Sequence, residues 1–262
     1  MKKYLILLVI LLFPVQAFAL TGDEIMQKYL AAFYYPGNDF KAKVMMKLIS
    51  AGGEVRSREM TMIRKNYGPV GGKQKYFIYF WRPSDVRNMT FMVFKHPGRN
   101  ADRWLFVPAL NMVRRIAAQD KYSSFVGSDF SYDNVSGRPL DEDAHTLIKE
   151  DKIGSRDCYV VKNTPKAVDA DYNYRLSWID KKTFLPIKEE YFDKRNELYK
   201  VFTDDKIKDI DGFPTVLKQT MKNVQTGHTT VVTYEKIDYN VGVSDSLFSE
   251  RFMQAPPMNL IQ

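Results

Sequence analysis

The residues that could perform chemistry in this chain are few. Asp129 and Asp133 share one aromatic turn, and a carboxylate pair could serve a hydrolase as acid and base. Any two neighbouring carboxylates meet so weak a criterion. We therefore expect structural roles for both, either in capping turns or in pairing with Arg114 or Arg115.

Metal and nucleophile patterns are also missing from the sequence. His96, His145 and His228 lie in separate segments, and the acidic run at residues 141–143 does not have EF-hand spacing. There is no nucleophile elbow, Walker A loop or dinucleotide fingerprint. Cys158, the only cysteine, lies in a strand-like apolar run typical of a buried small side chain. The sequence thus predicts no metal, no cofactor and no enzyme activity.

The beginning of the chain predicts export. Lys2 and Lys3 precede an apolar stretch that ends at an A-x-A site, Ala17-Phe18-Ala19, as in a secretory signal peptide. The apolar stretch is shorter than the ~20 residues of a membrane span. We expect residues 1–19 to be a signal peptide cleaved after Ala19, and residues 20–262 to form a single periplasmic domain.

The formal charge favours an anionic partner. Removal of Lys2 and Lys3 would lower it from +8 to +6, which suits lipid head groups or an acidic protein face. Solubility alone explains such a charge equally well. Nucleic acid fits poorly, because the chain is predicted to be exported and has no binding motif for it.

The mature chain is predicted to begin with one helix. Thr21 and Glu24 have capping-box spacing, and residues 21–34 carry Ile25, Tyr29 and Phe33 on one face. Proline and glycine at positions 36 and 37 end the helix. We name Ile25, Tyr29 and Phe33 as candidate residues of a lid.

From residue 41 onward the hydrophobic period changes from helical to twofold. Thirteen segments separated by turn residues are predicted as strands: residues 41–50, 55–65, 75–81, 88–96, 103–107, 111–116, 145–151, 157–164, 172–180, 186–192, 197–209, 215–223 and 229–239. Such spacing is typical of an antiparallel sheet curved into a barrel or open barrel. A short helix at residues 245–252 and an extended or loose tail complete the prediction.

Apolar side chains are abundant in this chain. Aromatic residues make up 14% of it, and there are 12 methionines. A curved sheet can leave its concave face unfilled, and methionines adapt to variable acyl chains. Candidate cavity residues are Met46, Met60, Met62, Ile78, Phe80, Phe91, Val93, Trp104, Phe106, Leu176 and Trp178. An ordinary packed core would use the same residues.

Arg114 and Arg115 are candidates for head-group binding or docking. Arginine pairs bidentately with phosphate and carboxylate, so the two residues could lie at the mouth of a cavity. They could equally be the charged edge of an outer strand that discourages aggregation.

The segment that contains both arginines resembles the central signature of the LolA-like proteins. That signature joins an Arg-Trp-Leu-aromatic-x-Pro-Ala run, paired arginines and a Gly-Ser-Asp-Phe-Ser-Tyr-Asp run. Here its residues are Arg103, Trp104, Leu105, Phe106, Pro108, Ala109, Arg114, Arg115, Gly127, Ser128, Asp129, Phe130, Ser131, Tyr132 and Asp133. The resemblance is close in this segment and looser elsewhere.

This resemblance implies a mainly β fold with a few helices, namely a half-open antiparallel β-barrel covered by a helical lid, as in LolA and LolB. It implies a periplasmic carrier that binds lipid or lipoprotein acyl chains for transfer toward the outer membrane, partnered by an inner-membrane RND-type exporter. No catalytic residues come with the family. The alternative is a non-carrier interaction module that docks on a transporter or envelope complex through its basic face.

Overall fold

The computed structural model describes residues 20–262, so the predicted signal peptide at residues 1–19 lies outside the described residues. Its helices are α1 (Gly22–Tyr34), α2 (Tyr132–Ser136), α3 (Glu250–Gln254) and α4 (Met258–Ile261). Single 3-10 turns lie at Pro108–Leu110, Ala118–Tyr122, Leu140–Glu142 and Asp245–Leu247.

Most of the described chain is β-strand. The strands are β1 (Asp39–Ile49), β2 (Val55–Tyr67), β3 (Lys73–Arg82), β4 (Thr90–His96), β5 (Arg99–Val107), β6 (Met112–Ile116), β7 (Asp143–Ile153), β8 (Arg156–Pro165), β9 (Tyr174–Asp180), β10 (Pro186–Phe192), β11 (Leu198–Ile210), β12 (Phe213–Asn223) and β13 (Thr229–Tyr239).

All of these strands form one antiparallel sheet. Its order is β6-β5-β4-β3-β2-β1-β13-β12-β11-β10-β9-β8-β7, so every neighbour pair is sequential except β1 with β13. The first and last strands of the chain thus meet in the middle. Strands β6 and β7 are the two edges, and residues 117–142 connect them. We call this connection the crossing segment.

The two faces of the sheet bury different sets of side chains. The inner face carries Phe40, Met60, Phe91 and Met221, which belong to one hydrophobic cluster. Phe91 lies on β4 and Met221 on β12, and four strands separate these two in the sheet. The sheet must therefore curve around this face. The outer face carries Phe77, whose cluster includes side chains of the C-terminal segment.

The predicted mainly β antiparallel architecture is confirmed, and so is the first helix. The Thr21 side chain accepts from the Glu24 amide, and the Glu24 carboxylate accepts from the Thr21 amide. Each of the thirteen predicted segments overlaps one strand of the structure. The sheet is open, as a half-open barrel requires. Whether its helices act as a lid stays a prediction.

The C-terminal prediction was wrong in two respects. Residues 245–252 are not one helix, because the Ser249 side chain caps a separate helix, α3, and a 3-10 turn precedes it. The tail is not loose either. Ile261 is fully buried in the outer-face cluster, and its carbonyl accepts from Thr61 Oγ1 at 2.8 Å.

Helix α1 begins directly against edge strand β7. A Cβ atom on Gly22 would lie 2.5 Å from the carbonyl oxygen of His145 and 3.0 Å from the amide nitrogen of Leu147. Both contacts are with backbone, which cannot rotate away as a side chain can. The absence of a side chain at position 22 therefore permits this docking.

We expect Gly22→Ala to lower the free energy of unfolding by about 1–3 kcal/mol, because the added methyl group must displace the β7 backbone. Urea denaturation measures the change. In the control Gly52→Ala, the nearest atom is Ser50 Oγ at 3.8 Å, and the change should stay within about 0.5 kcal/mol. Equal losses in both variants would contradict the docking described here.

Candidate functional site

A cavity lies between the inner face of the sheet and the segments that cover it. Its volume is about 120 Å³, and Met46, Met60, Met62 and Met221 border it together with aromatic side chains. A cavity of ~150 Å³ is enough to admit benzene. An acyl chain would therefore require the lining to move, and unbranched methionine side chains repack readily.

Helix α1 forms one part of the cover. Tyr29 and Phe33 border the cavity, whereas Ile25 packs beside it against Val161 and Ile179. The Phe33 ring meets the Phe202 ring of β11 edge-on, with centroids 6.3 Å apart. The three predicted lid residues thus lie on the sheet-facing side of α1, two of them at the cavity.

The crossing segment forms the other part. Phe125 and Phe130 border the cavity, and the Phe125 amide donates to the Phe130 carbonyl at 2.8 Å. The turn between them places Val126 at φ 51° and Gly127 at φ 79°, a left-handed pair that reverses the chain tightly. This reversal directs both rings onto the inner face.

The two parts of the cover touch each other. The Tyr34 hydroxyl at the end of α1 donates to the carbonyl of Asn134 in α2 at 3.1 Å. A Cβ atom on Gly137 would lie 2.8 Å from the Tyr34 ring, so the glycine permits this approach. Helix α1 and the crossing segment therefore form one continuous cover.

Asp129 fastens the crossing segment to strand β13. Thr230 Oγ1 donates to Asp129 Oδ2 at 2.7 Å and accepts from the Asp129 amide at 2.9 Å. His228 Nδ1 lies 2.6 Å from the same carboxylate oxygen. Asp129 thus joins the turn to the middle of the sheet.

Asp133 fastens the same segment near both sheet edges. Its carboxylate lies 2.8 Å from Arg103 of β5 and 3.3 Å from Arg138, and Arg138 also pairs with Asp143 of β7 at 2.7 Å. Breaking one partner of such a buried pair typically costs 3–5 kcal/mol. The predicted structural role of both aspartates agrees with these contacts. The predicted partners Arg114 and Arg115 were wrong.

Several candidate cavity residues lie behind the cavity wall. Ile78, Phe80, Phe91 and Val93 belong to the same inner-face cluster as the methionines but do not border the cavity. They lie on strands β3 and β4 and support the lining. Contact of any of the candidates with lipid stays a prediction.

Four other candidates lie on the outer face and do not border this cavity. Trp104 and Phe106 pack with the C-terminal segment, and Leu176 and Trp178 belong to a separate cluster around Cys158. Side chains two apart on a strand share a face, as expected, but the period does not say which face. This cavity assignment is corrected for all four residues.

Arg114 and Arg115 occupy edge strand β6 and do not act as a pair. Leu105 of β5 is opposite Arg114, and Trp104 is opposite Arg115. Because consecutive side chains of a strand point to opposite faces, the two guanidinium groups project from opposite faces of the sheet. Arg115 is exposed and binds Asp102. Neither arginine borders the cavity. The placement matches the alternative of a charged strand edge.

Arg64 is a cavity residue that the sequence interpretation missed. It lies on β2 two positions after Met62, is 3% exposed, and borders the cavity. It donates to the carbonyls of Tyr34, at 2.9 Å, and Pro36. Burial lowers the pKa of its guanidinium. The available signal was an arginine continuing the apolar alternation of Met60 and Met62.

Other kinds of site find no support in the described residues. Across residues 20–262, no three His, Cys, Asp or Glu side chains are grouped as a metal site would need. None of the described helices has the length and apolar character of a membrane span.

Comparison with known proteins places the chain in a family. Residues 72–255 match the profile of a family described as "Uncharacterized protein". A domain from Vibrio parahaemolyticus that carries the name of an outer membrane lipoprotein-sorting protein shares 27% identity and a TM-score of 0.82, over 89% of this chain and 98% of its own. The chain belongs to the LolA-like family.

Two further structures have the same fold. A DUF1329 family protein from Desulfovibrio piger shares 27% identity and a TM-score of 0.81, over 88% of this chain and 97% of its own. A LolA superfamily protein from Nitrosomonas europaea has the same fold at 16% identity, with a TM-score of 0.69 over 89% of this chain and all of its own. No curated protein matches the chain in sequence.

We expect Thr230→Val to loosen the crossing segment, because the isosteric valine removes both hydrogen bonds to buried Asp129. The free energy of unfolding should fall by about 1–3 kcal/mol, and hydrogen exchange at the Asp129 amide should accelerate. Thr229→Val, whose hydroxyl does not contact Asp129, is the matched control. Unchanged exchange at Asp129 would contradict this anchoring.

Lys95 gives a second prediction, on pH. Its Nζ donates to the Ser136 carbonyl at 2.8 Å, and burial lowers its pKa from 10.5 to about 8. Between these two pKa values Lys95 is protonated in the unfolded chain but neutral in the folded protein. The contribution of Lys95 to the free energy of unfolding therefore rises with pH. The unfolding free energy of the wild type minus that of Lys95→Met should therefore increase from about pH 8 to pH 10.

Urea denaturation at several pH values measures this difference. Lys47→Met, at an exposed position of β1, is the control and should give a flat difference across the same range. A flat difference for Lys95→Met would show that the buried amine does not titrate there.

Proposed function

We propose that this LolA-like protein is a periplasmic carrier that binds lipid, or the acyl chains of lipoproteins, in the inner-face cavity. The observation that carries the proposal is a methionine-lined cavity under a cover that is separate from the strand ladder. The name of the Vibrio parahaemolyticus domain supports the same class of cargo.

Hydrophobic transfer alone can drive such binding. Each buried CH₂ group contributes roughly 0.8 kcal/mol, so one acyl chain supplies a useful affinity without catalytic groups. Met46, Met60 and Met62 can change rotamer to admit chains of different shape. We therefore propose that the chain functions as a binding protein and not as an enzyme.

Loading would occur by displacement of the cover. Helix α1, with Ile25, Tyr29 and Phe33, and the crossing segment together act as the proposed lid. Their contacts with the sheet are side-chain packing, the Asp129 hydrogen bonds and the buried Asp133 ion pairs. The proposed movement breaks these contacts and leaves the strand pairs intact. Docking on an RND-type exporter of the inner membrane would promote this movement.

We also propose where the protein works. Residues 1–19 would direct export and be removed, and residues 20–262 would work as a single domain in the periplasm. The carrier would pass its cargo toward the outer membrane through transient contact with membrane surfaces.

The direct test is native mass spectrometry with lipid extraction on protein purified from the periplasm without detergent. A stoichiometric bound lipid would support the carrier and identify the class of its cargo. An empty protein that also fails to take up a fluorescent fatty-acyl probe would contradict it and favour the non-carrier docking module.

We expect Val44→Trp to lower the affinity for a fluorescent fatty-acyl probe about tenfold or more. Val44 is 2% exposed and borders the cavity, so the indole would occupy space that the acyl chain needs. Lys43→Trp introduces the same side chain at the neighbouring exposed position and should bind the probe normally. Equal binding by both variants would place the probe elsewhere.

A further inference from the structure

Arg64 stands apart from the other buried arginines of the described chain. Arg103 is 3% exposed and pairs with Asp133 at 2.8 Å, and Arg175 is 7% exposed and lies 3.5 Å from Glu189. Arg64 is equally buried, yet no carboxylate of residues 20–262 lies within ion-pair distance of it. No acidic side chain compensates its positive charge, and the Phe40 ring, whose centroid lies 4.7 Å from Arg64 Cζ, offers only a cation–π contact.

Part of the guanidinium is also without a hydrogen-bond partner. Two of its nitrogens donate to the carbonyls of Tyr34 and Pro36 at the end of α1, whereas the buried Nε contacts no acceptor in the described residues. Arg103 and Arg175 share the unpartnered Nε, so the missing carboxylate is what distinguishes Arg64. A guanidinium has five N–H donors. The carbonyls supply only the partial charge of a helix end, which does not offset a buried full charge.

The other charged group at the cavity is already satisfied. Glu189 borders the cavity, but its carboxylate accepts from Tyr191 at 2.8 Å and Ser177 at 3.0 Å, and Arg175 lies beside it. Glu189 is thus the counterion of Arg175. The cavity retains an excess of positive charge at Arg64.

Polar groups surround Arg64 at this end of the cavity. Tyr76 is opposite Arg64 in the pairing of β2 with β3. Tyr234 and Tyr239 also border the cavity. The Tyr239 hydroxyl is 3.0 Å from Thr215 Oγ1, and Gln219 donates to the Tyr234 hydroxyl at 3.3 Å. Met62 and Met60 precede Arg64 by two and four positions on the same face of β2 and also border the cavity. A cation with hydroxyl groups at one end of an apolar cavity matches the shape of an anionic amphiphile.

We propose that the cargo carries an anionic head group, a carboxylate or a phosphate, that binds Arg64 while its acyl chain lies against Met46, Met60 and Met221. This inference rests on the proposed carrier function and specifies its substrate class. The head group would supply the countercharge and accept from Nε, and arginine matches both kinds of oxygen acid bidentately.

The test compares three ligands with the same chain length: dodecanoate, dodecyl phosphate and 1-dodecanol. Each is titrated against the full mature protein at about pH 8, below micelle formation, by displacement of a fluorescent fatty-acyl probe. We expect at least one anion to bind about tenfold or more tightly than the alcohol. The preferred anion distinguishes a carboxylate head group from a phosphate.

Two arginine variants test whether Arg64 causes the preference for an anionic ligand over dodecanol. Arg64→Gln should abolish the preference for the anion while retaining dodecanol binding, since the apolar wall is unchanged. Arg56→Gln removes the same charge from an exposed position on the same strand and should keep the preference. If Arg64→Gln does not fold, the three-ligand comparison on the unchanged protein decides by itself.

The outcomes separate this inference from the carrier function. Equal binding of the alcohol and both anions by the unchanged protein would overturn the anionic head group and leave the carrier intact. Retention of the preference in folded Arg64→Gln would also overturn it. Failure of all three ligands to displace or replace the probe would contradict the carrier function itself.

Discussion

The structure depends on covering the apolar inner face of a sheet that does not close. Strand pairing ends at β6 and β7, so hydrogen bonds between strands cannot seal the face that carries Phe40, Met60 and Phe91. Exposure of that area to water would be costly, and burial of it is the dominant favourable contribution to folding. Helix α1 and the crossing segment are the elements that prevent this exposure.

The cover is held by contacts different from those that hold the sheet. Asp129 binds Thr230 in the middle of the sheet, and Asp133 joins Arg103 near one edge to Arg138, which reaches Asp143 at the other. These contacts are a few separate polar contacts between side chains, whereas the sheet is held by a continuous ladder of backbone hydrogen bonds. The proposed loading of the cavity makes use of this division, because the cover can be displaced while the strand pairs of the framework remain.

Much of the framework could be predicted because it follows from local rules. The Thr21 capping box and the end of α1 before Pro36-Gly37 are set by neighbouring residues, and the strands follow from twofold alternation between turn residues. The C-terminal segment could not be predicted in the same way. Its order comes from contacts such as Thr61 with the Ile261 carbonyl, which join distant parts of the chain.

By itself, the sequence determined the strands, the first helix and the pairs of side chains that share a face. Only the tertiary structure decided which face is inner, because the twofold period is the same on both sides of a strand. That choice placed Met60 at the cavity and Trp104 with the C-terminal segment. It also buried Arg64 without an acidic partner, since charge compensation depends on which distant strands and segments come together.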